Sequence, residues 1–311
     1  MDGFRFGLEC GGIKHICPAC KQRRFVRSVD SETGLYIADE VGRCDREDSC
    51  GYHLTPKEYF RMRGQSPSIH SKQVRPRPSV SEPEPSCMPN AIMRASIAAY
   101  DQNNFYQWLC RVFGEAKAFE LAGAYRLGTS KHWPGASVFW QIDEDGRIRA
   151  GKVMLYHAGT GRRVKEPFNH IQWAHKLLQV EPYHLRQCLF GLQLVMADPS
   201  KPVAVVESEK TAMVASGFIP DFIWTATSGK GNLTVDRLNP LRGRQIILFP
   251  DLGATDKWRE KAGKLPGVWV SDALEQRATA SDRAAGVDVA DYLLREHTKD
   301  VQCRDFLMGI S

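Results

Sequence analysis

Four cysteines near the start of the chain have the types and spacing of a metal site. Cys17-Pro-Ala-Cys20 opens the stretch, and Cys44 and Cys50, with five residues between them, close it. Thiolates paired this way are soft ligands that suit tetrahedral Zn²⁺, and a bound ion would substitute for the core that about 60 residues cannot build alone. The first pair has the common form of a zinc knuckle. The second gap is wider than usual, and Cys50-Gly-Tyr-His53 supplies another ligand spacing, so His53 is held in reserve as the fourth ligand. The expected set is Cys17, Cys20, Cys44 and Cys50, carried on a zinc ribbon. His15, beside the first knuckle, is expected to be an exposed polar residue, and the scattered Cys10, Cys87, Cys110, Cys188 and Cys303 to be reduced, small hydrophobes.

A second kind of chemistry is suggested by acids that follow apolar runs. In Lys201-PVAVV-Glu207 the carboxylate stands where a buried strand stops and a helix starts, and IILFP-Asp251 repeats the arrangement. Ligands of open α/β sheets gather outside the carboxyl ends of the strands. Two acids there can share a hard cation such as Mg²⁺ or Mn²⁺, which takes carboxylate oxygens and keeps waters or phosphates as its other ligands. Asp288 and Asp291, in GVDVADYLL, could add to the cluster. The loop TSGKGNLT is not a P-loop, because glycine follows the lysine and the glycine required upstream is absent.

Basic residues crowd the middle of the chain. Arg147, Arg149, Lys152, Arg162, Arg163 and Lys165 fall close together, with Trp140 and Tyr156 on the intervening segments. Cations attract phosphates and aromatic rings stack on unpaired bases, so the expectation is a track for single-stranded nucleic acid. Asp143, Glu144 and Asp145, just before it, would neutralise part of that field.

The elements that must position these groups follow from composition. The 311 residues are 42% hydrophobic and 25% charged, enough apolar mass for two modest cores, and the net charge of +6 permits a polyanion partner. No apolar run approaches the ~18 residues of a membrane span, and MDGFRFGLEC lacks the charged-then-apolar order of a secretory signal. No membrane partner and a cytoplasmic location are therefore expected. Residues 1–63 read as the ribbon module, with RRFVRSV and GLYIADEVGRC as a β-hairpin. Residues 64–90 hold six prolines and six serines and read as a disordered linker. Residues 91–200 read as a basic mixed α+β region, with helices over AIMRASIAAY and FYQWLCRVFGEAKAFELAGAY and strands ASVFWQI and KVMLYHA. From 201 to 311, strands VAVVE, FIWTAT, IILF and VWV alternate with helices, the pattern of a parallel sheet flanked by helices.

Segment 203–294 resembles the TOPRIM domain of bacterial-type DNA primases, topoisomerases and OLD-like nucleases, in the form VxESEKTA. Cys188-LFGLQLV resembles the primase segment that precedes the TOPRIM glutamate, and the ribbon resembles the primase zinc ribbon. The order of parts is closest to small primase-like proteins of bacterial mobile elements. The resemblance implies that Glu207 and Asp251 bind catalytic Mg²⁺ or Mn²⁺, with Asp288 as a further ligand, and that Lys210 and Lys230 join the basic residues in holding nucleotides. The family's second aspartate falls on Gly253, and the acid four residues after its glutamate falls on Thr211; Glu209 and Asp256 are the substitutes, with Asp256 counted among the catalytic acids. The expected activity is primer synthesis on single-stranded DNA from nucleoside triphosphates, with any replicative helicase supplied separately. The alternatives are a zinc-dependent DNA-binding accessory protein with a degenerate TOPRIM domain, and a TOPRIM nuclease.

Overall fold

A computed structural model describes residues 5–9, 14–46, 49–64, 84–229, 231–263 and 265–297. Residues 1–81 and 82–311 form two compact units. Most of the segment expected to be a linker, together with Cys10, Lys230 and Cys303, lies outside the described residues.

The first unit is a small antiparallel β structure. Strand β1 (Phe6–Leu8) pairs with β3 (Arg23–Asp30), β2 (His15–Ile16) also pairs with β3, and β3 continues through β4 (Gly42–Cys44) to β5 (His53–Leu54). Helix α1 (Pro56–Met62) follows; Thr55 and Glu58 close a reciprocal capping box at its start. The hairpin is shorter than the sequence suggests: GLYI contributes only the bridge Val29–Tyr36, and the regular second strand starts at Gly42. Gly42 has φ +153°, and a Cβ there would stand 2.0 Å from the Val26 carbonyl oxygen, so only glycine lets β4 approach β3 this closely. The apolar centre is little more than Phe25 and the cysteines.

The second unit opens with α2 (Asn90–Ser96), α3 (Asn104–Phe113) and α4 (Glu115–Ala124). Gly114, at φ +80°, divides what reads as one helical run into α3 and α4. Next come β6 (Gly128–Ser130), β7 (Ala136–Ile142), β8 (Ile148–Met154) and β9 (Ile171–Trp173), an antiparallel sheet in sequential order, then α5 (Ala174–Leu177) and α6 (Leu192–Ala197). β7 matches the expected strand, whereas β8 begins at Ile148, directly after the turn, and not at Lys152. Every residue of β7 and β8 is buried, so both faces of this hairpin are covered.

The remainder alternates as expected: β10 (Val203–Val206), α7 (Glu209–Phe218), β11 (Ile223–Ala226), α8 (Val235–Leu238), β12 (Ile246–Leu248), α9 (Thr255–Ala262), β13 (Val268–Val270), α10 (Ala273–Arg277), α11 (Ala280–Ala285) and α12 (Val289–His297). The four strands form a parallel sheet in the order β11-β10-β12-β13. Ala204 and Val206 face a core shared with Trp224, Phe249 and α7, while Val203 and Val205 face a second core around Leu248 and Trp258. Burial on both faces explains why β10 is apolar without alternation.

The first of these cores also contains Phe105, Trp108, Phe139 and Tyr156, so the regions divided at residue 200 share one interior and fold as one unit. The end of the expected linker belongs to it as well. Met88 bridges Ile148, Ser86 bonds the backbone of His184, and the Pro85 carbonyl accepts from Arg149.

Candidate functional site

In the ribbon, the turn after Cys17 is closed by Cys17 N–H to the Gln22 carbonyl (2.8 Å) and Lys21 N–H to the Cys17 carbonyl (3.0 Å). That turn faces Cys44 at the end of β4, and Cys50 completes the group. The four Sγ atoms lie within 4.8 Å of one another, with Cys17–Cys50 at 3.7 Å and Cys20–Cys44 at 3.9 Å. Zn–S bonds of about 2.3 Å at tetrahedral angles place sulfurs roughly 3.8 Å apart, close to these two separations, so this donor set suits Zn²⁺. The backbone N–H of Gln22, helped by the neighbouring thiols, lowers the Cys20 pKa to about 6. His53 is exposed on β5 opposite Arg43 and is not part of the cluster, which consists of the four cysteines. His15 is half-buried against the Tyr36 ring and Glu9, not exposed as expected.

At the parallel sheet, Glu207 directly follows β10 and Asp251 lies three residues beyond β12, its neighbour on one side. Phe249 N–H bonds the Val205 carbonyl and Thr227 N–H bonds the Val206 carbonyl, which carries the pairing to the carboxyl edge. Glu207 is 4% exposed and Asp251 half-buried. Ser208 caps α7 through the Thr211 N–H, so the helix starts immediately after Glu207.

The other acids are used elsewhere. Glu209 is buried against Lys152, Nζ to Oε1 3.1 Å, and the same Nζ donates to the Ser228 carbonyl at 3.0 Å. Asp288 precedes α12: its Oδ1 accepts the Asp291 N–H (2.8 Å) and its Oδ2 the Thr211 hydroxyl (3.0 Å), while burial raises its pKa. It caps α12, and each of its carboxylate oxygens accepts one hydrogen bond. Asp256 sits in the first turn of α9 with its side chain 98% exposed and pairs with Arg259. Among the described residues only the four cysteines gather three or more metal-ligand atoms, so Glu207, Asp251 and Asp288 are not drawn into one such group.

The basic track is also revised. Arg149 is buried, with Nε 2.6 Å from Asp143 Oδ2. Arg147 binds Asp143 (3.0 Å) and Asp145, and Lys152 is taken by Glu209. Burial works against the Asp143 charge, but the Arg147 N–H and the two guanidinium groups outweigh it and hold its pKa low. Trp140 and Tyr156 are buried and offer no stacking surface. Arg162 and Lys165 are exposed and Arg163 half-buried; among the described residues these three enter no ion pair. Lys210 lies 5.2 Å from the centre of the Trp108 ring and 3.7 Å from Asp291.

The sequence reading missed Gln141 and Ser228. The Gln141 amide donates to the Ser228 hydroxyl at 2.9 Å, and together with Lys152 it fixes the loop after β11, where Ser228 has φ +65°. A single glutamine in an apolar strand carries no signal of so distant a partner.

Residues 4–65 match the family of zinc beta-ribbon fingers, and residues 103–252 match a domain of unknown function, DUF6371. No curated protein matches the chain. Among solved structures it is similar to the primase fragment of the bacteriophage T7 primase-helicase protein, at 14% identity over 94% of this chain and 98% of that one, with a TM-score of 0.43. It is also similar to the E. coli primase catalytic core (14% identity, 70% and 81% covered, TM-score 0.42). A third is the DnaG primase catalytic domain bound to ssDNA (16% identity, 71% and 76% covered, TM-score 0.36). The chain is thus a zinc β-ribbon joined to a mixed α/β unit with a parallel sheet.

Proposed function

We propose that the chain is a primase-like nucleotidyltransferase that makes short RNA primers on single-stranded DNA for the replication of a mobile element. The observation that carries this reading is the placement of Glu207 and Asp251 at the carboxyl ends of adjacent parallel strands. Their oxygen donors suit Mg²⁺ or Mn²⁺, and they match the acids of the TOPRIM pattern. A cation held there would supply charge neutralisation for a triphosphate and a lower pKa for an attacking 3′-hydroxyl. Lys152 and Gln141 hold the loop after β11 in place beside this edge. Exposed Arg162 and Lys165, with Arg163, contribute phosphate contacts to the template, the ribbon adds its own, and a helicase acts as a separate chain. Among the described residues no helix is long and apolar enough to cross a membrane.

One observation favours a second reading. Glu209 is paired with Lys152, Asp256 with Arg259 and Asp288 with Thr211, and Gly253 stands where the TOPRIM pattern has its second aspartate, which suits a DNA-binding accessory protein with a degenerate TOPRIM domain. Primer synthesis from ribonucleotides on single-stranded DNA with Mg²⁺ or Mn²⁺, run beside a nuclease assay, separates the readings. Labelled primers support the first; DNA binding without synthesis or cleavage under either metal supports the second, and cleavage alone makes the chain a nuclease.

A further inference from the structure

A cleft of about 310 Å³ lies between the β7–β8 turn, the segment before α6 and the start of α8. Arg147, Arg149, Arg186 and Arg237 line it, against Asp143, Glu144 and Asp236. These charges are not evenly matched. Arg147 and Arg149 both bind Asp143, and Arg147 also binds Asp145, so in that part of the wall two cations meet two carboxylates. Glu144 and Asp236 are exposed, where water screens them.

Arg237 is in a different situation. It is half-buried, and its guanidinium donates to the Thr227 carbonyl (3.1 Å), the Asn232 carbonyl (3.0 Å) and Gln187 Oε1 (3.1 Å). All three acceptors are neutral. Of five N–H donors these use three, so the group is anchored in a fixed orientation with donors to spare and no carboxylate bound to it. Burial without a counter-charge pushes its pKa down. Arg186, exposed in the lining next to Gln187, enters no ion pair among the described residues.

An apolar ligand would gain little in such a cleft, and the fixed, half-buried guanidinium of Arg237, which has no carboxylate partner, disfavours a cation. A phosphate offers several oxygens in the geometry that a planar guanidinium recognises. We infer that this cleft binds phosphate, with Arg237 as the anchored donor and Arg186 as an exposed one. Thr227, whose carbonyl Arg237 holds, donates its own N–H to Val206, the residue before Glu207. The phosphate site is therefore tied through one strand to the acidic edge. Its phosphate belongs either to a nucleotide or to the backbone of a single strand. The inference does not rest on polymerising activity, because it concerns binding without a divalent cation.

Titration calorimetry of the full zinc-loaded chain, with no other divalent cation added, tests it. The probes are inorganic tripolyphosphate, ATP and a 12-residue oligothymidylate. Tripolyphosphate should bind the wild type, and both Arg186→Glu and Arg237→Gln should weaken that binding about tenfold or more. Arg186→Glu guards against misfolding, since its side chain is exposed and makes none of the bonds that hold the loop. ATP affinity falling in parallel assigns the phosphate to a nucleotide; oligothymidylate affinity falling instead assigns it to the backbone. No binding of any probe to the wild type, or affinities within twofold of wild type in both variants, overturns the inference.

Discussion

Lys152 and Glu209 form a buried ion pair between the antiparallel sheet and the helix α7 of the larger unit. Nζ of Lys152, on β8, lies 3.1 Å from Oε1 of Glu209, the first residue of α7, and 3.0 Å from the Ser228 carbonyl. Their side chains are 11% and 1% exposed. One cation thus joins the antiparallel sheet, the helix that follows Glu207 and the loop that follows β11. Taking both charges out of water is costly, and the pair is tolerable only because each group compensates the other.

Removing one partner is therefore worse than removing both. Lys152→Met should destabilise the protein by about 3–5 kcal/mol in urea unfolding, because it leaves the Glu209 carboxylate buried and uncompensated. Lys152→Met combined with Glu209→Gln should recover most of that loss. Equal and additive losses from the two single changes would mean that the groups do not interact.

The cysteine cluster makes a separate prediction. Purified protein should contain one Zn²⁺ per chain, and Cys20→Ser or Cys50→Ser should lose it and unfold the ribbon, whose apolar centre is too small to hold alone. His53→Ala should keep full zinc. Metal analysis with circular dichroism decides it: zinc retained in a cysteine variant removes that residue from the set.

What the sequence disclosed and what it hid have a common physical cause. β10 and β12 were legible because strands buried on both faces are continuously apolar, and the serine cap after Glu207 marks where β10 gives way to a helix. The ribbon was legible because ligand spacing is local. Arg149 and Lys152 were expected on an exposed track because a charged residue in a strand normally faces water, whereas both are buried and paired. Their neutralising acids are six and 57 residues away, and the second of these pairings exists only once the chain has folded. The same holds for Asp288, whose partner Thr211 is 77 residues distant.

Asp288 supplies a pH test. Its folded pKa is raised, so above that pKa the buried charge is a burden on stability, which is relieved as the pH falls through the folded pKa toward the ordinary value near 3.9. Asp288→Asn keeps the bond from the Asp291 N–H on its amide oxygen, can donate its NH2 to the Thr211 hydroxyl oxygen in place of accepting from it, and remains a good N-cap. Its melting temperature should equal or exceed that of the wild type at pH 7, with the advantage shrinking at pH 4. Metal-dependent activity should persist. Loss of activity without loss of stability would restore Asp288 as a metal ligand.

The last prediction separates enzyme from binding module. Glu207→Gln and Asp251→Asn preserve size and hydrogen bonding but remove the charge that holds a hard cation, so each should lower primer synthesis at least about 100-fold. Folding and single-stranded DNA binding should persist in both, because neither carboxylate sits on the exposed basic segment around Arg162 and Lys165. Asp256→Asn is the internal control: its side chain is almost wholly in water and its partner is Arg259 one turn along the same helix, so synthesis should stay within about twofold of wild type. If Asp256→Asn fails while Glu207→Gln and Asp251→Asn remain active, the metal edge is wrongly placed and the chemistry belongs nearer the start of α9. If all three variants prime like the wild type, the acids at the strand ends carry no catalysis.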